Sequence, residues 1–156
     1  MTDTLKSICE QCTHLHNPQL EFVPAELQRH RDIIQRDIRE LISAAALELE
    51  KSVTILSGSL FESILYCFIQ SQTDFIAARR GSFSFDPDHS LDNYVSIFNR
   101  FFSNVLTIPD IIVGYRDMVH INRELNNPPN SCRTAGPEML RLLDTLLNKL
   151  DEYVSS

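Results

Sequence analysis

The sequence predicts an all-α protein, a bundle of four or five main helices preceded by a short N-terminal helix. Apolar residues recur at spacings of three, four or seven through most of the 156 residues, which is the period of an amphipathic helix. No segment shows the strict alternation that is typical of a half-buried strand. With only four glycines and 22% charged residues, the composition is that of a globular chain long enough to bury a core.

The longest apolar stripe begins after Pro24 and continues to about Arg80. Its first members are Leu27, Ile34, Ile38, Leu41, Ala45, Leu49 and Val53. Such a stripe is too long for one ordinary globular helix, so we predict a break near Glu48–Ser52. We assign residues 1–23 to an N-terminal helical extension and residues 24–156 to the bundle.

Three further helices follow a loop that begins at Gly81. Ser90 is the predicted N-cap of the first, whose apolar face includes Phe98 and Phe102, as core or as a dimer face. Thr107 is predicted to cap the second, with a proline in its first turn, and that helix ends near residue 120. Pro137 is predicted to begin the last helix, after a polar loop with two prolines.

The net charge of −7 argues against a protein that coats nucleic acid nonspecifically. Residues 79–133 differ from the rest, because they carry six acidic residues and six basic ones, all arginine. Arginine suits bidentate contacts with phosphate. The N-terminus lacks the features of a secretory signal and no apolar run reaches roughly 18 residues, so we expect a cytoplasmic protein with no membrane partner and reduced cysteines.

The N-terminal segment "CEQCTHLH" contains four potential zinc ligands, Cys9, Cys12, His14 and His16. Cys-x-x-Cys is a familiar metal spacing, but zinc sites usually take their second ligand pair from a separate turn or helix. The alternative, which we favour, is a short amphipathic helix with Cys9 and Cys12 on its apolar face. We therefore predict no metal and no cofactor.

The segment "YRDMVH" places Arg116 and His120 four residues apart, near the end of a predicted helix. On a helix these residues share a face, with Cβ atoms about 6 Å apart. Cleavage of RNA needs these two kinds of group, a base near neutral pH for the 2′-hydroxyl and a cation for the charge that builds on phosphorus. The alternative is a pair of exposed residues that interact with the helix dipole.

A longer resemblance extends from about Glu48 to Tyr153. "LSGSLFESIL" places small residues before Glu62, "SLDNYVSIF" resembles a short following helix, and "YRDMVHINRE" places an arginine, a polar residue, apolar residues and a histidine in order. These segments and the closing Leu-rich helix resemble the HEPN superfamily, small all-α domains named for higher eukaryotes and prokaryotes nucleotide-binding.

The resemblance implies a metal-independent ribonuclease that acts on RNA, often the toxin of a toxin–antitoxin or defence system. It also implies a homodimer with two Arg–His motifs in one cleft, and an antitoxin or other protein partner. Arg116 would bind phosphate and His120 would act as the general acid/base. Asp117 would be the polar residue after the arginine, and Glu62 a supporting carboxylate.

For several other residues the sequence allows either a binding role or a structural one. Tyr115 either stacks a base or packs in the core, and Arg123 is a further candidate for binding. Arg79 and Arg80 either interact with a helix dipole or extend a phosphate track.

The motif differs from the family's usual one in two ways. Only three residues separate Arg116 from His120, which is fewer than usual, and Ile121 stands where related sequences often have proline. The alternative function is therefore a non-catalytic HEPN-like module for dimerisation or for binding a nucleotide or protein.

Overall fold

The computed structural model describes residues 3–80, 90–116 and 131–156, with the backbone alone for residues 131–133. The described residues form eight α-helices, six of them substantial, and no strand, which confirms the all-α class. The helices are α1 (Leu5–Gln11), α2 (Thr13–His16), α3 (Gln28–Ala46), α4 (Glu50–Ser71), α5 (Thr73–Arg80), α6 (Leu91–Phe102), α7 (Ile111–Arg116) and α8 (Ser131–Ser155). A 3-10 turn over Ala25–Leu27 precedes α3.

Helix α4 is the centre of the bundle and packs against α3, α6, α7 and α8. Its apolar residues are buried on several faces, as expected of a helix surrounded by others. Phe68 is fully buried in α4, and its ring packs edge-on against the rings of Phe98, Phe102 and Tyr153 at centroid distances of 5.7, 4.9 and 5.6 Å. The predicted phenylalanine face of α6 is thus part of the core.

Among the described helices, α4 is also the one long and apolar enough to cross a membrane, judged by length and composition alone. In its most apolar window, 61% of the residues are buried inside the protein. The core helix of a soluble protein has the same character, so this property is weak evidence for a membrane span.

The predicted break after the first long helix is confirmed, because α3 ends at Ala46 and α4 begins at Glu50. Glu48 adopts a left-handed backbone conformation with φ 57°, which reverses the chain direction. Its carboxylate accepts hydrogen bonds from the backbone N–H groups of Leu5 (3.1 Å) and Lys6 (3.0 Å), at the first turn of α1. Leu49, predicted on the apolar stripe, is 46% exposed because it lies in this turn.

The N-terminal segment packs into the same core as the bundle, through Leu5, Ile8, Leu15, Leu20 and Phe22, among others. Carboxylates of α8 bind backbone N–H groups of this N-terminal segment. Asp144 accepts hydrogen bonds from the N–H groups of His14 (2.8 Å) and Leu15 (3.0 Å), and Asp151 accepts one from Glu21 N–H (2.8 Å). Burial raises the pKa of Asp151 above its ordinary value, although the backbone hydrogen bonds from Leu20, Glu21 and Phe22 favour its charged form.

Two predicted boundaries near the middle of the chain need correction. The stripe that ends at Arg80 is divided at Gln72 into α4 and α5, which adds a helix to the four or five predicted. Helix α7 begins at Ile111 and not directly after Thr107, the predicted cap, because the Asn99 side chain binds the backbone of Ile108. The Asn99 amide donates to Ile108 C=O and accepts from Ile108 N–H, both at 2.8 Å, which keeps this stretch non-helical.

The prediction that Pro137 begins the last helix is wrong, because α8 begins at Ser131 and contains Pro137. Proline removes one backbone hydrogen bond from a helix interior. Here the backbone is held by packing: a Cβ on Gly136 would lie 3.1 Å from Leu5 and 3.5 Å from Val53. Close contact with α1 and α4 therefore outweighs the local preference of proline for the start of a helix.

Ser90 is the N-cap of α6, as predicted, although its side chain makes no capping hydrogen bond. The predicted loop from Gly81 to His89 lies outside the described residues.

Candidate functional site

The structure describes three of the predicted site residues, Glu62 in α4 and Tyr115 and Arg116 at the end of α7. The other three, Asp117, His120 and Arg123, lie outside the described residues. The part of the site that can be built from contacts therefore centres on Arg116.

Arg116 and Glu62 are brought together, although 54 positions separate them in sequence. The Nη2 atom of Arg116 donates to the Oε2 atom of Glu62 at 3.2 Å. Both side chains stay partly accessible, with 42% of the arginine and 31% of the glutamate exposed. An ion pair so accessible stabilises a fold by only about 0–1 kcal/mol. What the pair does is hold a guanidinium group in a fixed place at the surface.

The close approach of α7 to α4 depends on Gly58, one turn before Glu62. A Cβ on Gly58 would lie 2.7 Å from Cγ, 3.0 Å from Cβ and 3.3 Å from Cα of Arg116. These atoms are close to the arginine backbone and cannot swing away as the end of a long side chain would. Glycine therefore allows the stem of Arg116 to lie on α4, with its guanidinium group beside Glu62.

Tyr115 points into the core. It is only 7% exposed, and its hydroxyl donates to the Oε2 atom of Glu138 at 2.7 Å. Burial, and then the adjacent Glu138 carboxylate, raises the pKa of Tyr115 to about 12, so the phenol stays protonated. The ring thus offers little accessible face for the predicted stacking on a base. Its contacts instead fix the orientation of α7 against α8.

The residues of the Arg116–Glu62 pair line two cavities, one residue in each. The first, which we call the His30 pocket, has a volume of about 270 Å³ and is lined by His30, Ser59, Glu62, Ser63, Tyr66 and Tyr94. The second, which we call the Arg116 cavity, has a volume of about 360 Å³ and is lined by Ser90, Leu91, Asp92, Val113 and Arg116. The ion pair therefore joins a residue that lines the first cavity, Glu62, to a residue that lines the second, Arg116.

The Arg116 cavity includes the first turn of α6. Backbone N–H groups at a helix N-terminus and a guanidinium group both favour an anion. Asp92 in the same turn adds a negative charge, so the electrostatic character of this cavity is mixed.

His30 was missed by the sequence reasoning. It lies near the start of α3, 32 positions before Glu62, and carries no local motif. Its ring stacks on Tyr66, with centroids 5.1 Å apart and planes at 10°. Only the packing of α3 on α4 brings it to the site, so no spacing in the sequence indicates it.

The other arginines of the central region that the structure describes have local contacts. The Arg79 guanidinium lies 3.3 Å from the centroid of the Phe75 ring, and its Nη1 atom donates to Phe75 C=O at the end of α5. Arg100 lies 5.1 Å from the centroid of the Phe101 ring. Cation–ring contacts and a position in the last turn of a helix account for these residues without a phosphate track.

The N-terminal cysteines and histidines are arranged as parts of the fold. Cys9 and Cys12 are buried, and burial raises the pKa of Cys12 to about 12, which disfavours the thiolate that a metal needs. His14 Nδ1 lies 3.3 Å from Asp144, and His16 Nε2 lies 3.0 Å from Cys9 C=O. Within the described ranges, no group of three or more His, Cys, Asp or Glu side chains could hold a metal ion.

No protein family, curated protein or solved structure matches the chain. The resemblance to the HEPN superfamily accordingly stays a prediction from the sequence.

Proposed function

We propose that the protein is a HEPN-like, metal-independent endoribonuclease of a toxin–antitoxin or defence system, which acts on RNA in the cytoplasm. The observation that carries this proposal is the Arg116–Glu62 pair at the end of α7, in which each partner lines one of the two cavities. A catalytic cation must be held in place before the substrate arrives, since such pre-organisation gives much of its effect.

In the proposed reaction, His120 removes the proton from the 2′-hydroxyl of a ribose, and the 2′-oxygen forms a bond to the adjacent phosphorus. The bond from phosphorus to the 5′-oxygen of the next nucleotide breaks, which gives a 2′,3′-cyclic phosphate. The leaving 5′-oxygen takes up a proton from water or from protonated His120. Arg116 offsets the negative charge that builds on the phosphate oxygens. Glu62 is a positioning residue, because its contact is with the guanidinium group of Arg116 at 3.2 Å. The roles of His120 and Asp117 come from the resemblance alone.

We further propose that the protein acts as a homodimer, in which two copies of the motif meet in one cleft. A protein antitoxin that covers this cleft would control the activity. Both statements rest on the resemblance.

The test is incubation of purified protein with total bacterial RNA in EDTA, followed by a denaturing gel. The wild type is expected to cleave RNA, and H120A to cleave about 10²–10⁴-fold more slowly because a general base is lost. R116A is expected to lose about 10²–10³-fold because the charge on phosphorus is no longer offset.

The matched control for the cleavage test is R39A, which removes an exposed arginine of α3 outside both cavities. It should cleave at the wild-type rate. Equal cleavage by wild type, R116A and H120A would show that these residues are not the site.

A non-catalytic HEPN-like module for dimerisation or ligand binding is the second candidate. Two observations favour it: only three residues separate Arg116 from His120, and Arg116 is already paired with Glu62 within the chain. In such a module the arginine binds a ligand or a second copy without chemistry.

Expression of the protein alone in a heterologous bacterial host separates the two candidates. A ribonuclease toxin should arrest growth, and H120A should restore it. Normal growth with the wild-type protein at a verified expression level would favour the binding module.

A further inference from the structure

We propose that the His30 pocket binds one unpaired base of the RNA, the base of the nucleotide beside the cleaved phosphate, and prefers guanine there. This inference rests on the proposed function. Specific recognition of RNA usually targets unpaired bases, which stack on aromatic side chains and form hydrogen bonds along their Watson–Crick edges. The pocket provides both kinds of group.

The floor of the pocket is one face of α4. Ser59, Glu62, Ser63 and Tyr66 are spaced three, four and seven residues apart, so their side chains lie along the same face over two turns. His30 of α3 forms one wall and Tyr94 of α6 another. Residues on three packed helices thus form a site whose shape is set before any ligand binds.

The aromatic part of the pocket is held by ring contacts. His30 stacks on Tyr66 at 5.1 Å, and Tyr66 meets Tyr94 edge-on at 6.2 Å and 81°. Tyr94 is buried, whereas His30 and Tyr66 are half-buried. Rings that are already packed lose little conformational entropy when a planar base binds against them.

The polar part of the pocket selects among the bases. An ionised carboxylate accepts hydrogen bonds and donates none, so Glu62 favours an edge that carries donors. Guanine presents two donors side by side on its Watson–Crick edge, N1–H and the N2 amino group. The other three bases each present a single donor group there, next to one or two acceptors. A two-oxygen acceptor therefore fits guanine best.

Glu62 also connects this base site to the phosphate site. Its Oε2 atom is 3.2 Å from Arg116 Nη2, and its side chain lines the pocket. A nucleotide whose base lies in the pocket consequently has its phosphate next to the guanidinium group. The same carboxylate would position the arginine and recognise the base.

The test uses the full-length protein and four fluorescein-labelled nine-residue RNAs, all uridine except for a central G, A, C or U. They carry 2′-fluoro groups in place of the hydroxyl nucleophile, so that binding can be measured without cleavage. By fluorescence anisotropy, the wild type should bind the RNA with guanine at least about fivefold more tightly than the other three.

Two variants assign a guanine preference to the pocket. S59L places a large side chain at the exposed end of the pocket floor and should bind the four RNAs equally. S52L is the same change two turns earlier on α4, outside the pocket, and should keep the preference. E62Q replaces one acceptor with a donor and should move the preference toward adenine, whose edge pairs a donor with an acceptor. Matching thermal melts of S59L and S52L would show that both fold.

The outcomes separate this inference from the proposed function. Equal binding of the four RNAs by the wild type, or a guanine preference that persists in S59L and E62Q, would overturn the inference. RNA cleavage that depends on Arg116 would then still support the proposed function. If the wild type binds none of the RNAs, both fail.

Discussion

Gly58→Ala is expected to destabilise the protein by up to about 2 kcal/mol, although alanine is the better helix former. In an exposed helix the change stabilises by about 1 kcal/mol. At this position the new methyl group would lie 2.7 Å from Cγ of Arg116, and overpacking of that kind costs about 1–3 kcal/mol. Because Arg116 must move, RNA cleavage should fall with stability, toward the level of R116A.

Gly114→Ala is the matched control, because Gly114 is also helical and exposed, and no described residue lies within 4 Å of the added Cβ. It should raise stability by up to about 1 kcal/mol and leave cleavage unchanged. Urea denaturation measures both free energies of unfolding. Equal stabilisation by the two changes would show that α7 does not depend on Gly58 for its position.

Phe68→Ala should have the largest effect on stability, a loss of about 3–5 kcal/mol in the free energy of unfolding. The side chain is fully buried in α4, and its ring contacts three others, from α6 and α8. Removal leaves a cavity that close-packed neighbours fill only in part. The loss is a large share of the stability of an ordinary domain.

Phe101→Ala provides the comparison for Phe68, because the same ring is removed from a half-buried place at the edge of the core. Its effect should be less than half as large, since less apolar area is transferred from water on folding. Similar losses for both variants by urea denaturation would contradict the central position of α4.

The fold class was predictable from the sequence because helical periodicity is a local property. The apolar stripes of α3 and α8 end up in the core as predicted, from Ile34 and Ile38 to Leu143 and Leu150. The boundaries were less predictable, because contacts between distant residues decide them. Glu48 ends α3 while its carboxylate binds the start of α1, and Asn99 delays the start of α7.

The candidate site could be predicted only in the part that has a motif. Arg116 is predicted from its spacing to His120 and from the resemblance, and Glu62 from the resemblance, and the structure places the two in contact. Gly58 was noticed merely as a small residue, since its role depends on how closely another helix approaches. His30 has no neighbour in sequence that marks it, and its place beside Glu62 depends on the packing of α3 against α4.

The carboxylates that hold the N-terminal segment have a consequence for the order in which the chain can fold. Asp144 binds the backbone of His14, 130 positions earlier in the sequence. The ribosome synthesises the N-terminal segment first, so α1 and α2 emerge from it before α8, the helix that packs over them, has been made. Their apolar side chains, Ile8 and Leu15 among them, stay unburied until α8 has been synthesised. Native packing of this segment is therefore a late event of biogenesis, and contacts so distant in sequence slow folding.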